Sequence, residues 1–289
     1  MKYNIHATIS RCLALLLASA GIALGQTSTN EVSVDEALQA EYQRILSRCG
    51  LKIMDRMPRP VPTMQVTPIS YRDMDGDVLL TFFTAIDVFP ASFVQRTRVK
   101  YVVFCKKIMI NGVEPSPGIV TGDTFYLTTE NFGDISMYAA LYLVVDPQRN
   151  NTMWTRLNNP RFTYVETPGI TKSQLDRNKN EGFLRDFISA YGMQNERYDR
   201  ADTFAIMLAD PKQFSKLAEE NTVIAKKGEM MKQIAERVTL DTNKEFWDFV
   251  AENDEGSRRH TLIERAITNA KLRQENKPPI LGGFQRTKK

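Results

Sequence analysis

Val78-Leu79-Leu80-Thr81-Phe82-Phe83-Thr84-Ala85-Ile86-Asp87 and Met137-Tyr138-Ala139-Ala140-Leu141-Tyr142-Leu143-Val144-Val145-Asp146 are the two stretches that decide the fold. Each is a nearly unbroken apolar run, and turn residues stand beside both, Asp75-Gly76 ahead of the first and Asp146-Pro147 behind the second. Short apolar runs rich in Val, Ile, Phe, Tyr and Thr and bounded in this way read as buried strands. Further candidate strands surround them: Met64 to Tyr71, Arg98 to Ile110, Ile119 to Thr121, Thr124 to Thr128 and Arg161 to Val165, with Asn111-Gly112 and Gly122-Asp123 as turns. About seven strands in roughly 100 residues, with no helical period between them, predict an antiparallel immunoglobulin-like β-sandwich over residues 58–168.

The flanks read differently. Ala37, Leu38, Tyr42, Ile45 and Leu46 recur at helical spacing, so Val34 to Cys49 is expected to be one helix, stopped by Gly50, within an N-terminal helical segment over 26–57. Met57-Pro58-Arg59-Pro60-Val61-Pro62 cannot continue it, because proline lacks an amide donor and restricts its predecessor, and a stiff connector results. Past Pro168-Gly169 charge density rises and the period turns helical: Leu184, Phe187, Ile188 and Tyr191 line one face, Ile224, Met231, Ile234 and Val238 another, Leu262, Ile263, Ala266, Ile267 and Ala270 a third. An α-helical region is expected over 169–275 and a flexible basic tail over 276–289, which makes the whole α+β.

Residues 1–25 read as a secretory leader. Lys2 and Arg11 precede the apolar run Leu13 to Leu24, and Ala23 and Gly25 supply small residues for cleavage before Gln26. The run is too short for a membrane span. The expected address is periplasmic or extracellular, at the cell surface. A net charge of +4 does not call for nucleic acid. An oxidising compartment would let Cys49 and Cys105 pair, closing a loop of roughly 55 residues worth on the order of 4 kcal/mol. Two buried thiols are the alternative, and spacing does not decide between them.

Chemistry-bearing motifs are few. His260 is the only histidine beyond the leader and sits in Arg258-Arg259-His260-Thr261 without a metal-binding pattern, which reads as a surface position. Asp73-Met74-Asp75-Gly76-Asp77 resembles the opening of a calcium loop, but the glycine and the closing acid of an EF-hand are out of place, and a hairpin turn accounts for it. Asn150-Asn151-Thr152 fits a glycosylation acceptor and marks an exposed loop. Trp154 is a candidate recognition aromatic or a packed one, and Phe246 and Trp247, in the acidic segment Asp241 to Glu255, could face a partner or the interior. No catalytic, cofactor or metal site is expected.

Val78 to Phe83, Arg98 to Val103, Thr124 to Leu127 and Met137 to Val145 resemble immunoglobulin-like envelope proteins associated with type IV pilus genes in verrucomicrobial, Akkermansia-type bacteria. That resemblance implies a periplasmic or surface adaptor linked to pilus assembly, and the prepilin pattern itself is missing. The expected function is a non-catalytic envelope protein that docks envelope or pilus-assembly proteins, or further copies of itself. The rival expectations are a periplasmic glycan hydrolase using two carboxylates and a carbohydrate-binding module, for which Trp154 and Tyr126 are the aromatics to inspect.

Overall fold

In a computed structural model the described residues are 33–112, 118–129, 133–146, 152–167 and 169–284. The leader, Asn150, Asn151, Pro168 and the last basic residues of the tail lie outside them. From Ser33 onward the chain is one compact unit. Helix α1 (Val34–Cys49) is followed by strands β1 (Lys52–Ile53) and β2 (Met64–Pro68), then by helices α2 (Gly76–Asp87) and α3 (Ala91–Arg96). Three strands follow, β3 (Tyr101–Ile110), β4 (Gly118–Thr121) and β5 (Thr124–Thr128). The rest is helical: α4 (Asp134–Val145), the single turn α5 (Thr152–Thr155), α6 (Lys172–Asn180), α7 (Glu196–Ala209), α8 (Pro211–Glu220), α9 (Thr222–Val238), α10 (Lys244–Glu252) and α11 (Glu255–Gln274).

This overturns the immunoglobulin-like sandwich. Both deciding runs are helices, α2 and α4, and the strands among the described residues make one mixed sheet in the order β1-β3-β5-β4, with β2 also on β3. β1 and β5 run parallel to β3, while β2 is antiparallel to β3 and β4 to β5. The reason lies in burial on every side. From Thr81 through Asp87 each residue of α2 is buried, as is Met137 through Tyr142 of α4, and a helix enclosed all round loses the polar face that would reveal its period. Asp75-Gly76 is correspondingly no hairpin. Asp75 is the N-cap of α2, its carboxylate accepting the Asp77 amide at 2.8 Å, and Asp77 adds negative charge to the first turn.

Two other readings change for local reasons. Arg161 to Val165 is not a strand; Phe162 and Tyr164 instead lay their rings against Phe187. The Leu184 to Tyr191 face is not a helix, since Gly182 in the left-handed region opens only a 3-10 turn, Phe183–Asp186, and Leu184 stays exposed.

The sheet separates two apolar clusters. Val102, Phe104, Phe125 and Leu127 face the main core, where Phe89 joins distant elements by stacking on Phe93 (4.6 Å between centroids), Phe204 (5.9 Å) and Phe246 (6.1 Å). Val103, Cys105, Ile108 and Tyr126 face the other way, with Met64, the partly buried Met54, and Met57 and Val61 of the proline-rich connector over them. Cys105 and Ile108 share a face because the pairing shifts by one residue between Thr67 and Pro68, a bulge that reverses the alternation of β3.

That division also decides the cysteines. Cys49 belongs to the main cluster and Cys105 to the opposite face, and both are buried free thiols, so the pair expected as one alternative is not a disulfide. Burial raises the Cys49 thiol to about 11 and the Cys105 thiol to about 12. Alkylation of Cys49 and Cys105 should therefore be negligible in the folded protein, and denaturation without reductant should leave both modified; failure of either to react would contradict this arrangement.

Candidate functional site: a closed lysine–aspartate centre

A buried pair of opposite charges sits in the interior among α5, the Phe183–Asp186 turn, α7 and α9. Lys227 of α9 lies on the same helical face as Ile224, Met231 and Ile234, and therefore points inward with them. Its ammonium meets Asp199 of α7 at 2.8 Å from Oδ2 and 3.0 Å from Oδ1, donates to the Asp186 carbonyl at 2.8 Å, and lies 3.9 Å from the centre of the Phe187 ring. Trp154 Nε1 and the Tyr164 hydroxyl each donate to Asp199 Oδ2 at 2.9 Å, and Asn158 Nδ2 donates to the Tyr164 oxygen at 2.8 Å. Asp199 is 0% and Lys227 1% exposed. Burial acts on both in opposite senses, raising the carboxyl and lowering the ammonium, each opposed by its partner's charge. Desolvation of this kind makes such a pair expensive unless hydrogen bonds complete it, and here they do.

Asp202, three residues along α7, borders the same space. A Cβ on Gly192 would stand 3.4 Å from Asp202 Oδ2 and 3.5 Å from Asp199 Oδ1. Ser189 donates to Asp202 Oδ2 at 2.6 Å, and burial raises the Asp202 carboxyl.

Two other buried networks tie the helices together. Arg265 of α11 holds Glu41 of α1 and Asp87 of α2, each at 2.8 Å, and Arg48 reaches Asp87 at 3.0 Å. The tail lies over this network: Asn269 accepts from the Ile280 amide at 2.6 Å and donates to its carbonyl at 3.0 Å, and Arg48 donates to the Gly282 carbonyl at 2.7 Å. Gly282-Gly283 is required there, because a Cβ would overlap the guanidinium of Arg265 at the first position and of Arg48 at the second. Phe284 then packs on Phe246 and Phe249. In the other network Tyr138 of α4 donates to Glu255 at 2.7 Å and accepts from Arg258 at 2.9 Å.

The residues singled out in the sequence are dispersed. Trp154 is fully buried as a donor to Asp199, and Phe246 and Trp247 are core residues of α10, so none of the three is an exposed recognition aromatic. Tyr126 is buried as well. His260 is exposed, with Nε2 3.1 Å from Glu264. Asp73 and Asp75 line an open cleft with Ser70, Lys106 and Thr129. Among the described residues no group of three His, Cys, Asp or Glu is placed to hold a metal. The centre built on Lys227 and Asp199 was missed, although Lys227 falls within the periodic stripe of its helix.

No family model and no curated protein matches the sequence. Among solved structures, a protein from Bacteroides caccae ATCC 43185 described as a candidate zinc-binding metallo-peptidase is similar over 86% of this chain and 97% of its own, with 12% identity and a TM-score of 0.39. A likeness that distant carries no argument about chemistry here.

A carboxyl raised by burial holds its proton more tightly folded than unfolded, so it costs stability as pH rises through the ordinary carboxylate range. Asp202→Asn keeps an acceptor for Ser189 and removes that cost. Urea unfolding between pH 4 and 7 should show the variant gaining on the wild type as pH rises; a constant difference would mean Asp202 is not raised.

Proposed function

We propose that the protein is an exported, non-catalytic envelope protein that serves as a protein-interaction or assembly module for surface structures, type IV pili among them. The observation that supports this most is the location of the perturbed acids. Asp199 and Glu255, whose carboxyls burial raises, are spent on hydrogen bonds that join elements far apart in the chain, and Asp202, raised likewise, holds Ser189 of the loop ahead of its own helix. A two-carboxylate hydrolase needs its acid and base opening onto a substrate cleft. The open cleft beside Leu240 is lined by Arg96, Glu236 and Arg237 instead. Charge used in this way makes a rigid body, and a rigid body presents side chains for docking. Leu281, at 64% exposed, and Leu240, at 70%, are apolar side chains so presented. The leader pattern supports an address where surface assemblies form.

The cleft holding Asp73 and Asp75 favours the hydrolase as second reading, because two carboxylates and Lys106 share one opening. A photocrosslinking residue introduced at Leu281 or Leu240 in cells that make the protein should trap envelope or pilus-assembly components, or a second copy. Recovery of the uncrosslinked chain alone, together with glycan cleavage by the purified protein that Asp73→Asn abolishes, would replace the assembly reading with the hydrolase.

A further inference from the structure

The hydrogen bonds around Asp199 are unequal on its two oxygens. Trp154 and Tyr164 both donate to Oδ2, whereas the hydrogen bond to Oδ1 comes from Lys227. The Lys227 nitrogen stands nearly equidistant from the two oxygens, 2.8 Å and 3.0 Å, in contact with both ends of the carboxyl group. A third acceptor, the Asp186 carbonyl, takes another of its hydrogens at 2.8 Å.

This is the hydrogen-bonding pattern an amide needs. One oxygen with two donors suits an amide carbonyl, and one N–H aimed at a backbone carbonyl suits an amide nitrogen. The other oxygen has no role in that product. We propose that Lys227 and Asp199 form an intramolecular isopeptide bond, with loss of Oδ1 as water.

The step needs no external reagent. A proton passes from the ammonium to the carboxylate, giving a free amine and a carboxylic acid. Both groups are shifted by burial in the direction that favours this neutral pair. The amine lone pair attacks the carboxyl carbon and the C–N bond forms. The negative charge that develops on Oδ2 is met by Trp154 Nε1 and the Tyr164 hydroxyl, two neutral donors already in place. A proton then leaves the nitrogen for Oδ1, the C–Oδ1 bond breaks and water departs. Asp202, whose charge also acts on Lys227 and which borders the same space beside Gly192, is the group placed to carry that proton. Nothing is oxidised or reduced. A dry enclosure favours the products, since water is the species expelled.

The bond would join α7 to α9 covalently, closing a loop from Asp199 to Lys227. It stands independently of the assembly reading, which can fail while the bond is present.

Intact mass spectrometry of the full chain, purified and denatured, tests it. The mass should lie about 18 Da below that of the sequence it carries, the mass of one water lost in amide formation. Trypsin should release Tyr198-Asp199-Arg200 joined to Lys227-Gly228-Glu229-Met230-Met231-Lys232, uncut after Lys227. Lys227→Arg should restore the full mass. Tyr164→Phe, which removes one of the two donors to Oδ2, should slow formation by about 10²-fold, the usual effect of losing one such donor. An unmodified mass in folded wild-type protein after days at neutral pH would overturn the proposal. So would a loss of 18 Da without the joined peptide, which would indicate a succinimide instead.

Discussion

A carboxylate that cannot reach water must be answered by the protein around it, and Asp199 is the place where that constraint organises this chain. Its partners come from α5, α9 and the loop bearing Tyr164, segments with no sequence proximity to α7. Once Asp199 is buried, the position of Trp154, the inward turn of Lys227 and the irregular backbone between Gly182 and Asn195 follow, since each supplies a donor or covers the pair. The Asp186 carbonyl that receives the Lys227 hydrogen belongs to the 3-10 turn itself. A regular helix there would commit that carbonyl to its own backbone ladder.

The same logic recurs at the other end of the molecule. Glu41, Asp87 and Arg265 are enclosed between the first and last helices, and the tail closes over them because Gly282 and Gly283 let two guanidinium groups lie flat against the backbone. The segment read from composition as a tail is therefore held in place through Phe284, by a ring contact on α10 at 5.6 Å. Buried ionic networks of this type confer little net stability relative to apolar packing, but breaking one partner is costly, so they fix which helices meet.

Much of the secondary structure was legible where one face of an element is wet. Helix α1 has the bounds its periodicity predicts, and β3, α9 and α11 fall close to theirs, because Lys100, Lys106, Lys226 and the like mark solvent sides, while the Gly122-Asp123 turn bounds β4 and the fully buried β5. The fold class was not legible, because α2 is enclosed by α1, α4 and α11, and α4 by the sheet and α7, so that neither displays a polar side. With those two helices read as strands, the remaining turns suggest a sandwich, which is the fold the structure overturns. An Asp cap followed by a run of twelve residues, longer than most strands, was the available correction. The lysine–aspartate centre was hidden for another reason: its members are 45, 35 and 28 residues from Asp199 along the chain, and no local pattern joins such positions.

Lys227 and Asp199 act as one energetic unit that holds α7 and α9 together. A double-mutant cycle of Lys227→Met and Asp199→Asn, read by urea unfolding at neutral pH, tests this directly. Each single change should cost about 3 kcal/mol or more, because it leaves a buried charge without its partner. The double variant should recover a large part of that loss, with a coupling of about 2 kcal/mol. Additive losses, with coupling below about 0.5 kcal/mol, would contradict the claim.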